Sequence, residues 1–399
     1  MLATVASAVV QGVDGHPVSV EVHVSNGLPG YTLVGLPDAS CRESRDRVRA
    51  AVLSSGFKWP SRRVTINLAP TGLRKQGASL DLPIALGILA ASGQLEPEVI
   101  GRFGAIGELG LDGSVRPVAA LVSLADAVTA PEIFVPADGA EQAAVVRSGC
   151  VRGVRTLAEL LAGLTDRGSL PPIVDPHPGD FHPAGAGRAD LAEVRGQPFA
   201  RWALEVAAAG GHHLLMIGPP GAGKTMLAAR IVGLLPTLDR DQAVSTTRVY
   251  SAAGLAIPAG GLVRSPPFRA PHHGASMVAM IGGGTAAMRP GEISCAHNGV
   301  LFLDELGEFS VQILDSLRQP LEEGVVRVSR AARAVDLPAR FQLVAAIPAP
   351  CWPRCRRRSL PLQRCGQGPH ARRLSGLCAI VRSAGSKVPA PFTRVLLGA

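Results

Sequence analysis

Leu214-Leu215-Met216-Ile217-Gly218-Pro219-Pro220-Gly221-Ala222-Gly223-Lys224-Thr225-Met226-Leu227 is the stretch on which the reading of the chain turns. The four apolar residues before Gly218 make a short run of the kind that forms a buried strand. Gly218 to Thr225 fits G-x-x-x-x-G-K-[ST] at every fixed position. Beyond it, Met226, Leu227, Ile231 and Leu234 recur at helical steps. Strand, glycine loop and helix in that order let backbone N–H groups converge on phosphate oxygens, with the partial positive charge of a helix N-terminus behind them. Gly218, Pro219, Pro220, Gly221, Ala222, Gly223, Lys224 and Thr225 are therefore assigned to nucleotide binding. In that arrangement Lys224 reaches the β- and γ-phosphates and Thr225 ligates Mg²⁺. A turn that binds nothing leaves the lysine-hydroxyl pair after Gly223 without a rationale.

About eighty residues further on, Gly299-Val300-Leu301-Phe302-Leu303-Asp304-Glu305 is an apolar strand that ends in two acids. Carboxylates at the end of a buried strand are costly to desolvate unless they meet a cation. Asp304 is expected to meet Mg²⁺, directly or through water, and Glu305 to polarise an attacking water as the catalytic base. On its own a strand ending in Asp-Glu is a weak signal; after an intact phosphate loop it is a strong one.

The 399 residues predict two or three domains. A hydrophobic share of 47% against 18% charged residues is that of a soluble globular chain with ample core. No apolar run is long enough to span a bilayer, and the start MLATVASAVV lacks the basic residues of a signal peptide. The expected compartment is the cytosol, where the seven cysteines are thiols or at most metal ligands. The net charge of +9 is unevenly placed: from Leu337 to Ala399 there are eleven Lys/Arg and no Asp or Glu.

Val18, Val20, Val22 and Val24 alternate with polar residues as in a half-buried strand. Helices are expected over 40–55, 80–92, 140–147 and 156–164, and strands at 64–68 and 133–135. Phe103 to Val118 reads as one hairpin with Asp112-Gly113 at its turn. Residues 1–164 thus form an α+β domain, and 165–187, rich in Pro, Gly, Asp and His, form a linker. The second domain covers 188–346, with a helix at 310–319 and a core strand at 341–346. Its hairpin, 325–338, carries Arg327, Arg330 and Arg333, the last two near the tip. His272 and His273 are adjacent, and neighbours diverge on regular elements, so they are read as loop histidines with structural or phosphate-contacting roles rather than a metal pair. The segment 347–399 is a basic tail of abruptly different composition.

Taken together the motifs resemble the YifB/ComM family of Mg-chelatase-like AAA+ ATPases. The resemblance is carried by Gly35-Leu36-Pro37-Asp38, Asn67-Leu68-Ala69-Pro70, Asp81-Leu82-Pro83-Ile84, the phosphate loop, Phe268-Arg269-Ala270-Pro271-His272-His273, Arg289-Pro290-Gly291-Glu292, Leu303-Asp304-Glu305 and Leu317-Arg318-Gln319-Pro320. It covers residues 1–346. It implies an α/β fold, in which an AAA+ P-loop NTPase domain is preceded by an α+β, Lon-protease-like (ChlI-type) domain. It also implies ATP and Mg²⁺ as ligands, a homo-oligomeric, hexameric ring, and action on DNA without sequence preference as a branch-migration helicase. The hairpin arginines would then touch phosphates. The alternatives are an ATPase subunit that drives metal insertion into a tetrapyrrole, and a nucleotide-binding relic without turnover.

Within the Lon-like part, Ser79 falls at the position of the Lon nucleophile, but the lysine base falls on Val122, which accepts no proton. No peptidase activity is expected. After Ala346 the family pattern requires an Asn, the sensor residue, where this chain has Ile347-Pro348. The arginine-finger position falls on Val381, one step from Arg382. The tail is read as a shifted reading frame rather than a functional extension. A zinc site from Cys351, Cys355 and Cys365 lacks a paired C-x-x-C.

Overall fold

The computed structural model describes residues 1–75, 77–165, 170–175, 189–284, 288–330 and 333–348, and the strand at 393–396. Contacts divide the chain into two units. One is Met1–Asp180 with Tyr250–Leu262 and Thr285–Met288; the other is Phe181–Val249 with Val263–Gly284 and Arg289–Ala399.

In the first unit the valine alternation becomes strand β2 (Asp14–Ser25), antiparallel to β1 (Leu2–Gln11) in the register Val5↔Val20. Val18, Val20, Val22 and Val24 all point into the core, as a period of two requires. Then come β3 (Gly30–Val34), helix α1 (Ala39–Ser54), β4 (Arg63–Ala69), α2 (Asp81–Ala91), α3 (Pro97–Ile100) and β5 (Phe103–Ala105). A small ladder of β6 (Glu108–Leu109) and β7 (Val115–Arg116) precedes α4 (Leu121–Ala127), β8 (Glu132–Pro136), α5 (Ala140–Val146), β9 (Val151–Val154) and α6 (Leu157–Thr165). The sheet order is β3-β4-β2-β1-β5-β8-β9, mixed in direction. Helix α2 is apolar on every face and buried at every position, as such a helix must be. Gly87 sets its approach to the sheet: a Cβ there would lie 2.6 Å from Val22 Cγ2.

Two expectations change here. Phe103–Ala105 is not part of a hairpin. It is an interior strand, parallel to β1 and β8, because it is flanked on both sides by strands that take its backbone groups. The hairpin is β6–β7 alone, with Gly110 N donating to Ser114 O (2.8 Å) and Gly113 at φ 85. Part of the stretch expected as a linker is among the described residues. Residues 170–175 lie along the outer edge of β9, where Ile173 bridges Arg152 and Val174 N donates to Val151 O (2.8 Å). Prolines 171 and 172 hold this piece extended, and the free edge of β9 offers it partners.

In the second unit, α7 (Pro198–Gly210) leads into β10 (Leu214–Gly218), α8 (Lys224–Arg230), α9 (Arg240–Ala253), of which the residues up to Val249 belong to this unit, and β11 (Phe268–Arg269). Short elements follow: α10 (Met277–Ile281), β12 (Gly282–Gly283), β13 (Arg289–Pro290) and α11 (Glu292–Cys295). Next are β14 (Gly299–Leu303), α12 (Val311–Ser316), α13 (Arg318–Glu323), the hairpin β15 (Val325–Arg330) and β16 (Arg333–Pro338), β17 (Phe341–Pro348) and β18 (Thr393–Leu396). The helix expected over 310–319 breaks into α12 and α13, since Pro320 has no N–H to continue the ladder. The sheet is parallel throughout, ordered β11-β14-β17-β10-β18. It continues past residue 346: β17 runs to Pro348, and β18 pairs with β10 in the register Leu214↔Thr393. The strand Thr393–Leu396 therefore supplies a backbone partner for the far side of β10, which would otherwise be a free edge.

The amino ends of β10 and β17 are latched by side chains. Gln342 Nε2 donates to Ala207 O (3.0 Å) and His212 O (2.6 Å), and Leu343 N donates to His213 Nδ1 (3.0 Å). Nearby in the same unit Arg340 N donates to His297 Nδ1 (3.1 Å), with Ser245 Oγ 3.0 Å from Nε2. Burial pushes both imidazoles down to about 4. A lowered histidine value means that the unfolded chain binds the proton first. The stabilisation is complete above the unfolded value near 6.5 and is lost as pH falls toward 4. Each histidine should therefore withdraw about 2 kcal/mol between pH 7 and 5. Urea midpoints of wild type and of His213→Asn/His297→Asn, followed across that window, check this. A wild-type midpoint that drops no more than that of the double variant would contradict it.

Candidate nucleotide site

In an open parallel sheet the chemistry lies at the carboxyl ends of the strands. Here β10 ends at Gly218 and β14 at Leu303, and β17 lies between them. The loop after β10 turns twice through left-handed backbone, at Gly221 (φ 79) and Gly223 (φ 80), which explains glycine at both positions. Helix α8 begins at Lys224. The Lys224 side chain is buried, and its Nζ donates to Gly218 O and Pro219 O, both at 2.9 Å, so the ammonium is held over the loop.

Thr225 Oγ1 donates to Asp304 Oδ2 at 2.6 Å, joining the start of α8 to the end of β14 across 79 residues of sequence. The other Asp304 oxygen accepts from Glu305 N (2.9 Å). Glu305 itself sits at φ 50, left-handed for a residue with a Cβ, a conformation that costs roughly 1–2 kcal/mol. Its carboxylate is more than half exposed and faces His273, with Nδ1 3.6 Å from Oε2. His273 packs edge-on to Phe309, and the His272 ring lies 4.0 Å from it. Gly274 N donates to His272 Nδ1 (3.1 Å), so the neutral His272 carries its proton on Nε2. Thr225, Pro271, His272, His273, Asp304 and Glu305 line one cleft of about 300 Å³.

The residues named from the sequence thus converge: the loop 218–225, Asp304 and Glu305 meet at the ends of β10 and β14. His273, expected as a loop histidine with a structural or phosphate-contacting role, faces Glu305, a contact that the sequence does not show. Nor does it show the bidentate pair of Arg269 with Glu292 (2.6 and 2.7 Å), which ties β11 to α11 below the cleft. The signal in both cases was the run Arg269 to His273 directly after a strand. Among the described residues no group of His, Cys, Asp and Glu has the arrangement of a metal cluster.

The hairpin arginines fare differently. Arg330 and Arg333 pair across the end of the β15–β16 ladder, and their side chains lie outside the described residues. Arg327 is held by Glu323 (3.1 Å) and Asp336 (3.5 Å). Such half-exposed pairs are worth at most about 1 kcal/mol, so a phosphate can displace them. Ser79 is buried before α2, and Val122 is fully buried in α4. Cys351, Cys355, Cys365, Val381 and Arg382 lie outside the described residues.

Residues 190–375 match the family described as magnesium chelatase, subunit ChlI, and residues 20–138 match subunit ChlI of Mg-chelatase. Competence protein ComM of Haemophilus influenzae is 46% identical over 355 residues, which cover 88% of this chain and 69% of that protein. YifB of Escherichia coli is 45% identical over 353 residues, 88% of this chain and 68% of that protein. Lon protease 2 of Bacillus subtilis is 30% identical over 181 residues, 39% of this chain and 32% of that protein. No helix among the described residues is long and apolar enough to cross a membrane.

Proposed function

This chain belongs to the YifB/ComM family of Mg-chelatase-like proteins, and from that premise we propose that it binds Mg·ATP at the 218–225 loop and acts on DNA as a ring-forming AAA+ ATPase. The observation that carries the reading is the Thr225–Asp304 hydrogen bond beside the buried Lys224 ammonium. A hydroxyl and a carboxylate at 2.6 Å, next to a loop with two left-handed glycines, form an oxygen donor set suited to a magnesium ion on a phosphate chain. Thr225 and Asp304 would hold Mg²⁺, which would supply positive charge against that of the phosphates. Lys224 leaves the loop carbonyls for the phosphate oxygens. Glu305 takes up the proton of the attacking water, and His273 orients its carboxylate.

DNA contact through Arg330 and Arg333 depends on charge and not on base identity. A fluorescein-labelled single strand titrated at several salt concentrations tests it. The double variant Arg330→Ala/Arg333→Ala should flatten the log–log salt slope by about 1.4, since each phosphate contact to a single strand contributes about 0.7. A slope equal to that of wild type removes the hairpin from the interface. If no oligonucleotide binds even at low salt, the DNA reading fails, and an ATPase partner of a metal-inserting enzyme becomes the better account.

A further inference from the structure

The first unit carries a groove that the nucleotide chemistry does not use. Arg45, Arg49 and Leu53 follow one another at four-residue steps along a single face of α1. Facing them is the loop from Phe57 to Arg62, with Tyr31 of β3 at the floor. The groove encloses about 570 Å³. Its walls hold four exposed cations, Arg45, Arg49, Lys58 and Arg62, over two half-buried aromatic rings, Tyr31 and Trp59. The rings stack with centroids 6.3 Å apart and planes 27° from parallel, and the Arg45 guanidinium lies 5.9 Å from the Tyr31 centroid.

The loop is fixed in place. Phe57 N donates to Val52 O (3.2 Å). Lys58 N donates to Gln94 Oε1, and Gln94 Nε2 returns a bond to Lys58 O, both at 2.9 Å. The groove is therefore formed before any ligand arrives. An ordinary solvated face would mix its charges. Among the described residues none of these four cations makes an ion pair with a carboxylate, whereas Arg47 on the same helix pairs with Asp81 (2.7 Å) and Glu43 (3.9 Å). Four like charges left together above aromatic rings repel one another until a polyanion neutralises them. A polyanion whose own flat faces stack on indole and phenol rings is a single-stranded nucleic acid; in a duplex those faces are hidden.

We propose that the groove between α1 and the 57–62 loop is a binding site for single-stranded nucleic acid, with Arg45, Arg49, Lys58 and Arg62 on the phosphates and Trp59 stacking a base. The inference goes beyond the DNA reading above, because it places an interface on the first unit and does not involve the hairpin or the nucleotide loop.

The test uses the full chain and a labelled oligothymidylate of about 20 nucleotides, a length that spans a typical single-strand site. Arg45→Ala/Arg49→Ala should weaken binding on the order of tenfold at moderate salt and lower the salt slope by about 1.4. Trp59→Ala should weaken it on the order of tenfold at unchanged slope. Trp59→Phe, which keeps an aromatic ring, should bind nearly as wild type but lose the part of the tryptophan quenching that oligonucleotide produces at this site. Thermal melting identifies any variant that fails to fold, and Trp59→Phe with the arginine pair then decides the case. Wild type binding with groove variants indistinguishable in affinity and slope overturns the groove and leaves the hairpin reading intact. Affinity for vesicles containing phosphatidylglycerol but not for the oligonucleotide overturns it in favour of a lipid surface. No binding by wild type overturns both DNA readings.

Discussion

Lys224→Ala is expected to abolish Mg·ATP binding, measured by titration calorimetry, with a loss of at least about a hundredfold. Removing one partner of a desolvated, hydrogen-bonded charge pair costs about 2–5 kcal/mol, and the lysine pairs with the most charged part of the ligand. The fold should tolerate the change. Among the described residues, Nζ donates to the carbonyl oxygens of Gly218 and Pro219 alone. The register of β10 against β17 is set by the backbone ladder from Leu214↔Val344 onward. A variant that melts as wild type yet no longer binds is therefore the expected pair of results. Equal affinity in the two proteins would remove the loop from the nucleotide site.

The second large effect concerns turnover. Strand β17 ends between the phosphate loop and the Asp304 strand: Leu303 pairs with Ala345, and Gly218 with Pro348. The last residues of β17 thus stand in the sheet between the strand that leads to the phosphate loop and the strand that ends at Asp304. Here they are Ile347 and Pro348, which offer no side-chain donor to a γ-phosphate or to an attacking water. Loss of one oriented polar group in such a site typically lowers the rate by about 10²–10³. The polypeptide is therefore expected to bind ATP but to release phosphate barely above background. Ile347→Asn should raise the rate, and Glu305→Gln in that background should lower it again while leaving binding intact. Wild-type turnover of about one per second, abolished by Glu305→Gln, would show that another residue supplies the missing contact.

The parts of the molecule that could be read in advance share one property: their information is contiguous in sequence. The phosphate loop, the strand ending at Asp304-Glu305, the valine alternation of β2 and the apolar run of α2 after Asp81 each follow from neighbours along the chain. The parts that could not be read depend on distant partners. Phe103–Ala105 is too short to reveal that strands flank it on both sides. Residues 170–175 gain order only because β9 has a free edge. His273 matters through Glu305, and Arg327 is neutralised in part by Asp336 across a hairpin, neither of which the local pattern records. The break between α12 and α13 has a local mark in Pro320, while the apolar spacing of Val311, Leu314 and Leu317 runs across it without interruption.

The latch of Gln342 and His213 at the amino ends of β10 and β17 has an evolutionary consequence. It lies at the opposite end of the sheet from Lys224, Asp304 and Glu305. Side-chain bonds that hold the sheet thus sit at one end of the strands, and the candidate chemistry sits at the other. A lineage that ceased to use ATP could lose the carboxyl-end residues one by one and still inherit the same sheet. Ancestry in this family, read from overall identity, therefore records the persistence of the scaffold, and the residues that close each strand record whether the work continued.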